Sequence, residues 1–225
     1  MTHTIEYAPD RRLRVHGDGD AGIALLWHGR GPLESYAMAP LAEAVAASGV
    51  RVIAADWDST GDDFGKADLE TSLAHARGVG EELGIDPQRL VIAGWSLGGT
   101  ATLGLALQSP RPLRTILVAP GYAARAIDPF SGRPLPDAFP SGQGRPIDVV
   151  WGSQDDIVDE VMAVSLVDRL RDAGWEVTAT ELDADHSGVV GVRFDEPTGR
   201  YVEDPAVSGV MAEVAVVVVA ASRTS

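Results

Sequence analysis

The chain has 225 residues, of which 45% are hydrophobic and 23% charged, as is usual for a globular domain with a large core. Its net charge of −15 argues against binding to nucleic acid or to anionic membranes, because both need basic patches. The sequence contains no cysteine, which excludes disulfides and thiol catalysis. The first residues lack the apolar segment of a secretory signal, so we expect a cytoplasmic protein.

Short apolar runs alternate with segments of helical spacing along the chain. The predicted strands are residues 4–7, 12–16, 23–27, 50–55, 90–93, 113–119, 147–151 and 176–182. The predicted helices are residues 34–48, 69–83, the Ala- and Leu-rich segment that ends at 107, 158–173 and 205–222. This alternation predicts a single α/β domain over residues 1–225, with a mostly parallel sheet and helices on both faces.

Three segments depart from the alternation. Residues 121–146 are rich in Gly, Pro and Ser and show no period, which predicts a long irregular loop. Residues 194–202, with Thr198-Gly199 at the centre, suggest a small hairpin. Residues 214–221 are strongly apolar but too short to span a bilayer, so we expect a buried C-terminal element.

Ligands of parallel α/β sheets bind at the carboxyl ends of the strands. Six loops should therefore converge on one edge of the sheet, and they begin at His28, Asp56, Ser96, Gly121, Asp155 and Asp183.

The sequence Gly94-Trp95-Ser96-Leu97-Gly98 lies between a predicted strand and a predicted helix. A serine between glycines at such a junction is typical of a nucleophile elbow, in which the tight turn leaves no room for side chains next to the serine. The alternative is a glycine-rich turn with a surface serine.

An activated serine needs a base, and the base needs an orienting acid. Of the five histidines, only His186 directly follows a late predicted strand and should reach the carboxyl edge. Asp155 and Asp156 follow the strand at 147–151, and either carboxylate could accept a hydrogen bond from the imidazole. The order Ser, Asp, His along the chain is that of α/β-hydrolases.

From His28-Gly29 to His186 the chain resembles the α/β-hydrolase superfamily, and most closely its small-esterase, carboxylesterase and dienelactone-hydrolase-like branch. Gly152, Asp155 and Val158 match the family pattern G-x-x-D-x-x-V around the catalytic acid, so the resemblance favours Asp155 over Asp156.

The resemblance also implies that His28-Gly29-Arg30-Gly31 is the oxyanion loop. The backbone N–H groups of Arg30 and Leu97 would then hold the oxyanion, while His28 would support the loop. Departures from relatives are the absence of the cysteine nucleophile of dienelactone hydrolases and a serine where haloalkane dehalogenases have aspartate. The 121–146 loop replaces a cap, which leaves the site open or lightly covered.

Aromatic residues near the site have two interpretations. Tyr122, Phe130 and Phe139 could line a substrate pocket or anchor the 121–146 loop to the body of the domain. Trp95 flanks the nucleophile and could contact substrate or pack into the core.

The predicted rim is rich in acids, namely Asp56, Asp58, Asp62, Asp63, Asp155, Asp156, Asp159, Asp183 and Asp185. Such a rim should disfavour anionic esters relative to neutral or cationic ones. We expect no metal, because a single histidine stands near these acids.

These features predict a serine hydrolase that acts on a small carboxylic ester or thioester through an acyl-enzyme, without a cofactor. An acyltransferase, an amidase or peptidase with the same triad, and a non-catalytic ligand-binding member of the fold remain alternatives. The sequence leaves the oligomeric state open.

Overall fold

The computed structural model describes residues 2–85, 90–109, 114–123 and 125–223. The strands are β1 (Thr2–Ala8), β2 (Arg11–His16), β3 (Ile23–Trp27), β4 (Arg51–Ala55), β5 (Leu90–Trp95), β6 (Arg114–Val118), β7 (Ile127–Asp128), β8 (Arg133–Pro134), β9 (Pro146–Gly152), β10 (Glu176–Leu182), β11 (Val192–Asp195) and β12 (Arg200–Glu203). The helices are α1 (Ala39–Ala46), α2 (Lys66–Glu82), α3 (Leu97–Gln108), α4 (Glu160–Asp172) and α5 (Ser208–Arg223).

Eight strands form one sheet in the order β1-β2-β4-β3-β5-β6-β9-β10. The pairs β1–β2 and β2–β4 are antiparallel, and the remaining pairs are parallel. The chain runs from β3 outward to β4 and then returns to place β5 on the other side of β3. The loops that follow the neighbouring strands β3 and β5 therefore lie side by side at the carboxyl edge of the sheet, at the point where the strand order reverses and ligands of such sheets bind.

Helices cover both faces of the sheet, with α1 and α5 on one face and α2, α3 and α4 on the other. In β3, Ala24 and Leu26 pack toward α1 and α5, while Leu25 and Trp27 pack toward α2 and α3. Burial on both faces is the reason that the central strands are continuous apolar runs in the sequence.

Two sequence predictions need correction. The predicted helix over 34–48 is a 3₁₀ turn, Ser35–Met38, followed by the shorter helix α1, with Pro40 in its first turn. The predicted irregular loop over 121–146 contains the two-stranded ribbon β7–β8, and its last residue begins β9. Leu113, predicted to begin a strand, lies outside the described residues.

The hairpin predicted over 194–202 is present as β11–β12. The C-terminal helix is longer than its apolar segment and is buried on one side only. Val214 and Val218 are fully buried, whereas Val216 is 67% exposed. By length and composition alone, one helix of the described residues, Pro205–Arg223, could cross a membrane, and 28% of its most apolar stretch is buried.

Candidate active site

Ser96 occupies the sharp turn between β5 and α3. Its backbone has φ 55° and ψ −119°, a conformation that is costly for a residue with a side chain and that is found mostly at functional sites. Its amide donates a hydrogen bond to Val118 O at 2.9 Å. A Cβ on Gly94 would lie 2.1 Å from Gly98 O, so the turn closes only with glycine at that position.

His186 and Asp155 form a buried pair. The distance from His186 Nδ1 to Asp155 Oδ2 is 2.7 Å, and the Asp155 side chain is fully buried. Asp155 Oδ1 accepts hydrogen bonds from the amides of Ile157 and Val158 at 2.9 and 2.8 Å. Burial alone would raise the pKa of this carboxyl, but the hydrogen bonds from His186 and the two amides outweigh it and hold the pKa below its usual range. Asp156 is exposed, so the geometry singles out Asp155.

Close backbone packing fixes the loops that carry this pair. A Cβ on Gly152 would lie 2.1 Å from Ala184 O, and the amide of Gln154 donates to the same oxygen at 3.0 Å. Asp185 Oδ1 accepts from the amides of Ser187 and Gly188 and thereby closes the turn around His186. The acid and the histidine are therefore held in place by their own loops.

Trp95 connects the histidine loop to the elbow. Its indole Nε1 donates to His186 O at 2.8 Å, and the two rings lie 5.4 Å apart. Within the described part of the chain, Ser96 Oγ does not donate a hydrogen bond to His186. Such catalytic hydrogen bonds are often long until substrate binds.

The predicted oxyanion loop packs directly against the elbow. A Cβ on Gly29 would lie 3.2 Å from Ser96 Cβ, and one on Gly98 would lie 2.4 Å from the carbonyl oxygens of Trp27 and His28. Neither the Arg30 amide nor the Leu97 amide donates to an acceptor among the described residues. Both amides are thus free to bind a negatively charged oxygen.

His28 lies completely buried beneath this loop. Its Nε2 accepts hydrogen bonds from the amides of Glu34 and Trp57, both at 3.2 Å. The proton must therefore reside on Nδ1, which donates to Gly29 O at 2.9 Å. Burial lowers the pKa of His28 to about 4. A neutral histidine with both nitrogens engaged supports the loop, as the sequence resemblance implied.

The aromatic residues predicted to line a pocket or to anchor the 121–146 loop make packing contacts. Trp95 is 1% exposed and belongs to the core. Tyr122 is buried, accepts a hydrogen bond from Arg169 of α4 and packs edge-on against Phe139. Phe130 stacks on Trp27 at 6.0 Å. These contacts favour the anchoring interpretation, and a role in substrate binding stays a prediction.

Most of the rim acids make structural contacts with backbone amides or with an arginine. Asp56 accepts from the amide of Ser35 at 3.1 Å, Asp58 pairs with Arg11 at 3.2 Å, and Asp159 caps α4 through the amide of Met162. Among the described residues, no three side chains of the types His, Asp and Glu are grouped so that they could hold a metal ion.

Two residues beside the site are not among those predicted from the sequence. The Glu34 side chain lies against Gly31, and the Tyr201 ring lies 5.1 Å from that of Trp95. The sequence places Glu34 only at the start of a helix and Tyr201 only within a hairpin, and the closeness of Glu34 to the His28-Gly29 motif is the one signal for either residue.

The fold of this chain has relatives among known proteins. A model of the alpha/beta hydrolase family matches residues 15–221, and the chain belongs to that family. The predicted fold class and family are therefore confirmed.

An uncharacterized protein of Mycobacterium tuberculosis, strain H37Rv, is 29% identical over an alignment of 167 residues, and the match covers 68% of this chain and 59% of that relative. The chain thus spans less than two thirds of the length of the relative.

Solved structures of low sequence identity share the fold. A bacterial heroin esterase is 18% identical with a TM-score of 0.70, and the match covers 100% of this chain and 85% of that one. The esterase Est22 is 16% identical with a TM-score of 0.73, and the match covers 100% of this chain and 80% of that one. A carboxylesterase from Mesorhizobium loti is 17% identical with a TM-score of 0.62, and the match covers 95% of this chain and 97% of that one.

Proposed function

We propose that this protein is a serine hydrolase that cleaves a small carboxylic ester or thioester. The observation that carries the proposal is the 2.7 Å hydrogen bond between His186 and a buried Asp155, on the same sheet edge as a serine held in a strained elbow. Two of the structural neighbours are named as esterases, which supports an ester as the bond that is cleaved.

In the proposed reaction Ser96 Oγ attacks the ester carbonyl while His186 Nε2 takes its proton. Asp155 accepts the hydrogen bond of Nδ1–H and stabilises the imidazolium that forms. The amides of Arg30 and Leu97 hold the oxyanion, and each such donor typically lowers the barrier by about 3 kcal/mol.

The tetrahedral intermediate then collapses. The bond to the leaving oxygen or sulfur breaks, and His186 returns the proton to the leaving group. Water then attacks the acyl-enzyme while His186 takes one of its protons. The bond to Ser96 Oγ breaks, His186 returns the proton to Oγ, and the carboxylic acid is released from the regenerated serine. The substrate is a small molecule, no cofactor takes part, and the cytoplasmic location expected from the sequence stays a prediction.

A panel of p-nitrophenyl esters of increasing acyl length tests the proposal on the wild type and on Ser96→Ala. We expect hydrolysis by the wild type and a loss in kcat of about 10⁴-fold or more in the variant, because the nucleophile is removed. A fluorophosphonate probe should label the wild type at Ser96 and leave the variant unlabelled.

Equal activity in both proteins would contradict the assignment of the nucleophile. A folded wild type that is neither labelled nor active would favour the non-catalytic alternative. Product analysis with added alcohol or amine separates hydrolysis from acyl transfer.

A further inference from the structure

Glu34 places a carboxyl group beside the oxyanion loop. Its amide donates to His28 Nε2, and its side chain folds back against Gly31. A Cβ built on Gly31 would lie only 2.7 Å from both Cδ and Oε1 of Glu34. The carboxyl therefore lies directly next to the loop that is proposed to hold the oxyanion.

In the part of the chain that the structure describes, this carboxyl has no compensating partner. Its Oε2 is buried and makes no hydrogen bond to any described residue. Among the described residues no lysine or arginine forms an ion pair with it. Burial raises its pKa. A partly desolvated carboxyl is costly unless something pairs with it, so an unpaired one at the edge of a reaction site suggests a ligand group.

Aromatic rings border the same side of the site. The ring of Tyr201, on β12, lies 5.1 Å from Trp95 and 5.4 Å from Phe194, and Trp95 in turn lies 5.4 Å from His186. Phe194 is 51% exposed. Trp95 itself is buried, so the hairpin β11–β12 continues this row of rings outward through the partly buried Tyr201 to the half-exposed Phe194.

Glu34 lies close to this row of rings. Burial raises the pKa of Tyr201, and the neighbouring groups Glu34 and Tyr36 raise it further. The hairpin strand β12 also contacts the 3₁₀ turn that follows Glu34. On this side a cation already sits on an aromatic face, since the Arg200 guanidinium lies 4.7 Å from the centre of the Tyr36 ring.

A carboxyl group beside aromatic rings is the combination that binds ammonium groups in proteins, through charge and through the negative faces of the rings. We propose that Glu34 and the ring of Tyr201 bind a positively charged ammonium group of the ester substrate. This inference rests on the proposed hydrolase function and adds a substrate class to it.

The test uses two esters of nearly equal shape and different charge, acetylcholine and 3,3-dimethylbutyl acetate. The quantity measured is the ratio of their kcat/KM values. We expect Glu34→Gln, which keeps the shape of the side chain, to lower this ratio by about tenfold. Asp62→Asn removes one charge from an exposed position of the acidic rim and should leave the ratio unchanged.

Three results would overturn the proposal. Both kcat/KM values, and therefore their ratio, could be the same in Glu34→Gln as in the wild type. Both variants could lower it equally, with the effect disappearing at high salt, as a general field of the acidic rim would do. Glu34→Gln could also lower activity on both esters by the same factor, which would make Glu34 a positioning residue of the oxyanion loop.

Binding to the Ser96→Ala protein separates this proposal from the hydrolase function. We expect Ser96→Ala to bind acetylcholine more tightly than the neutral ester in calorimetry, and the added Glu34→Gln change to raise the Kd of acetylcholine about tenfold. Preserved binding with no hydrolysis by the wild type would refute the hydrolase proposal alone. Normal hydrolysis with equal Kd values for the two esters would refute the role of Glu34 alone.

Discussion

His28 combines complete burial with two nitrogens that are both hydrogen-bonded. Protonation of Nε2 would break two hydrogen bonds from backbone amides, and burial lowers the pKa of the ring to about 4 from its usual 6.5. An unfolded chain takes up a proton at this histidine below pH 6.5, whereas the folded chain resists it. The contribution of His28 to the free energy of unfolding must therefore fall as the pH decreases from 6.5 toward about 4.

This linkage predicts how His28→Gln changes the pH dependence of stability. Glutamine can still accept a hydrogen bond but does not titrate. Between pH 7.5 and pH 5 we expect the loss in unfolding free energy to be smaller in the variant by about 2 kcal/mol. Urea unfolding at both pH values measures it. His3→Gln, at an exposed position of β1, is the matched control, and parallel pH profiles of His28→Gln and the wild type would contradict the assignment.

At the residue scale the sequence predicted the groups that motifs define and missed those that only packing defines. Ser96, His186 and Asp155 stand in a fixed order at strand ends, and the structure brings His186 and Asp155 into contact. Glu34 carries no such signal, because the direction in which a side chain folds back depends on the turn at Gly31. For the same reason the contacts of Tyr122 could not be read from the sequence.

At the scale of elements, the elbow depends on how closely α3 approaches β3. A Cβ on Gly98 would meet two backbone carbonyl oxygens at 2.4 Å, and backbone cannot move aside as a flexible side chain can. Gly78 of α2 offers a contrast, since nothing lies within 4 Å of its added Cβ.

These two glycines predict opposite effects of the same substitution. Gly98→Ala should lower the unfolding free energy by about 3 kcal/mol or more, because α3 must move away from the end of β3 and the loop that follows it. Gly78→Ala should raise it by about 0.5–1 kcal/mol, because alanine favours the helix. Denaturant unfolding of both variants checks the pair. A Gly98→Ala protein as stable as the wild type would show that the elbow can relax.

The accuracy of the predicted elements has a physical cause. Strands β3 and β10 match their predicted bounds, because an apolar run or a regular alternation ends where the strand leaves the sheet. The helix predicted from residue 34 was wrong at its start, since helical spacing does not distinguish a 3₁₀ turn from the α-helix behind it. Strands β7 and β8 have only two residues each, which is too short for a hydrophobic period in the sequence to predict them.

At the scale of the whole molecule, the net charge of −15 acts beyond the individual contacts. Several rim acids are tied to amides or to arginine, as Asp58 is to Arg11, but others such as Asp62 and Asp156 are exposed. Exposed charges of one sign around a cleft repel a ligand of the same sign, and the repulsion extends over the Debye length.

The electrostatic field of these exposed acids predicts a salt-dependent difference in kcat/KM between anionic and neutral esters. At about 0.01 M salt, where the Debye length is about 30 Å, kcat/KM should be several-fold lower for mono-p-nitrophenyl suberate than for p-nitrophenyl octanoate. At about 0.15 M salt the Debye length is about 8 Å, so the value for the anionic ester should rise while that for the neutral ester stays nearly constant. Stopped-flow release of p-nitrophenol measures both. Equal values for the two esters at low salt would mean that the acidic surface does not reach the site, and a difference that salt leaves unchanged would locate the discrimination in a direct contact instead.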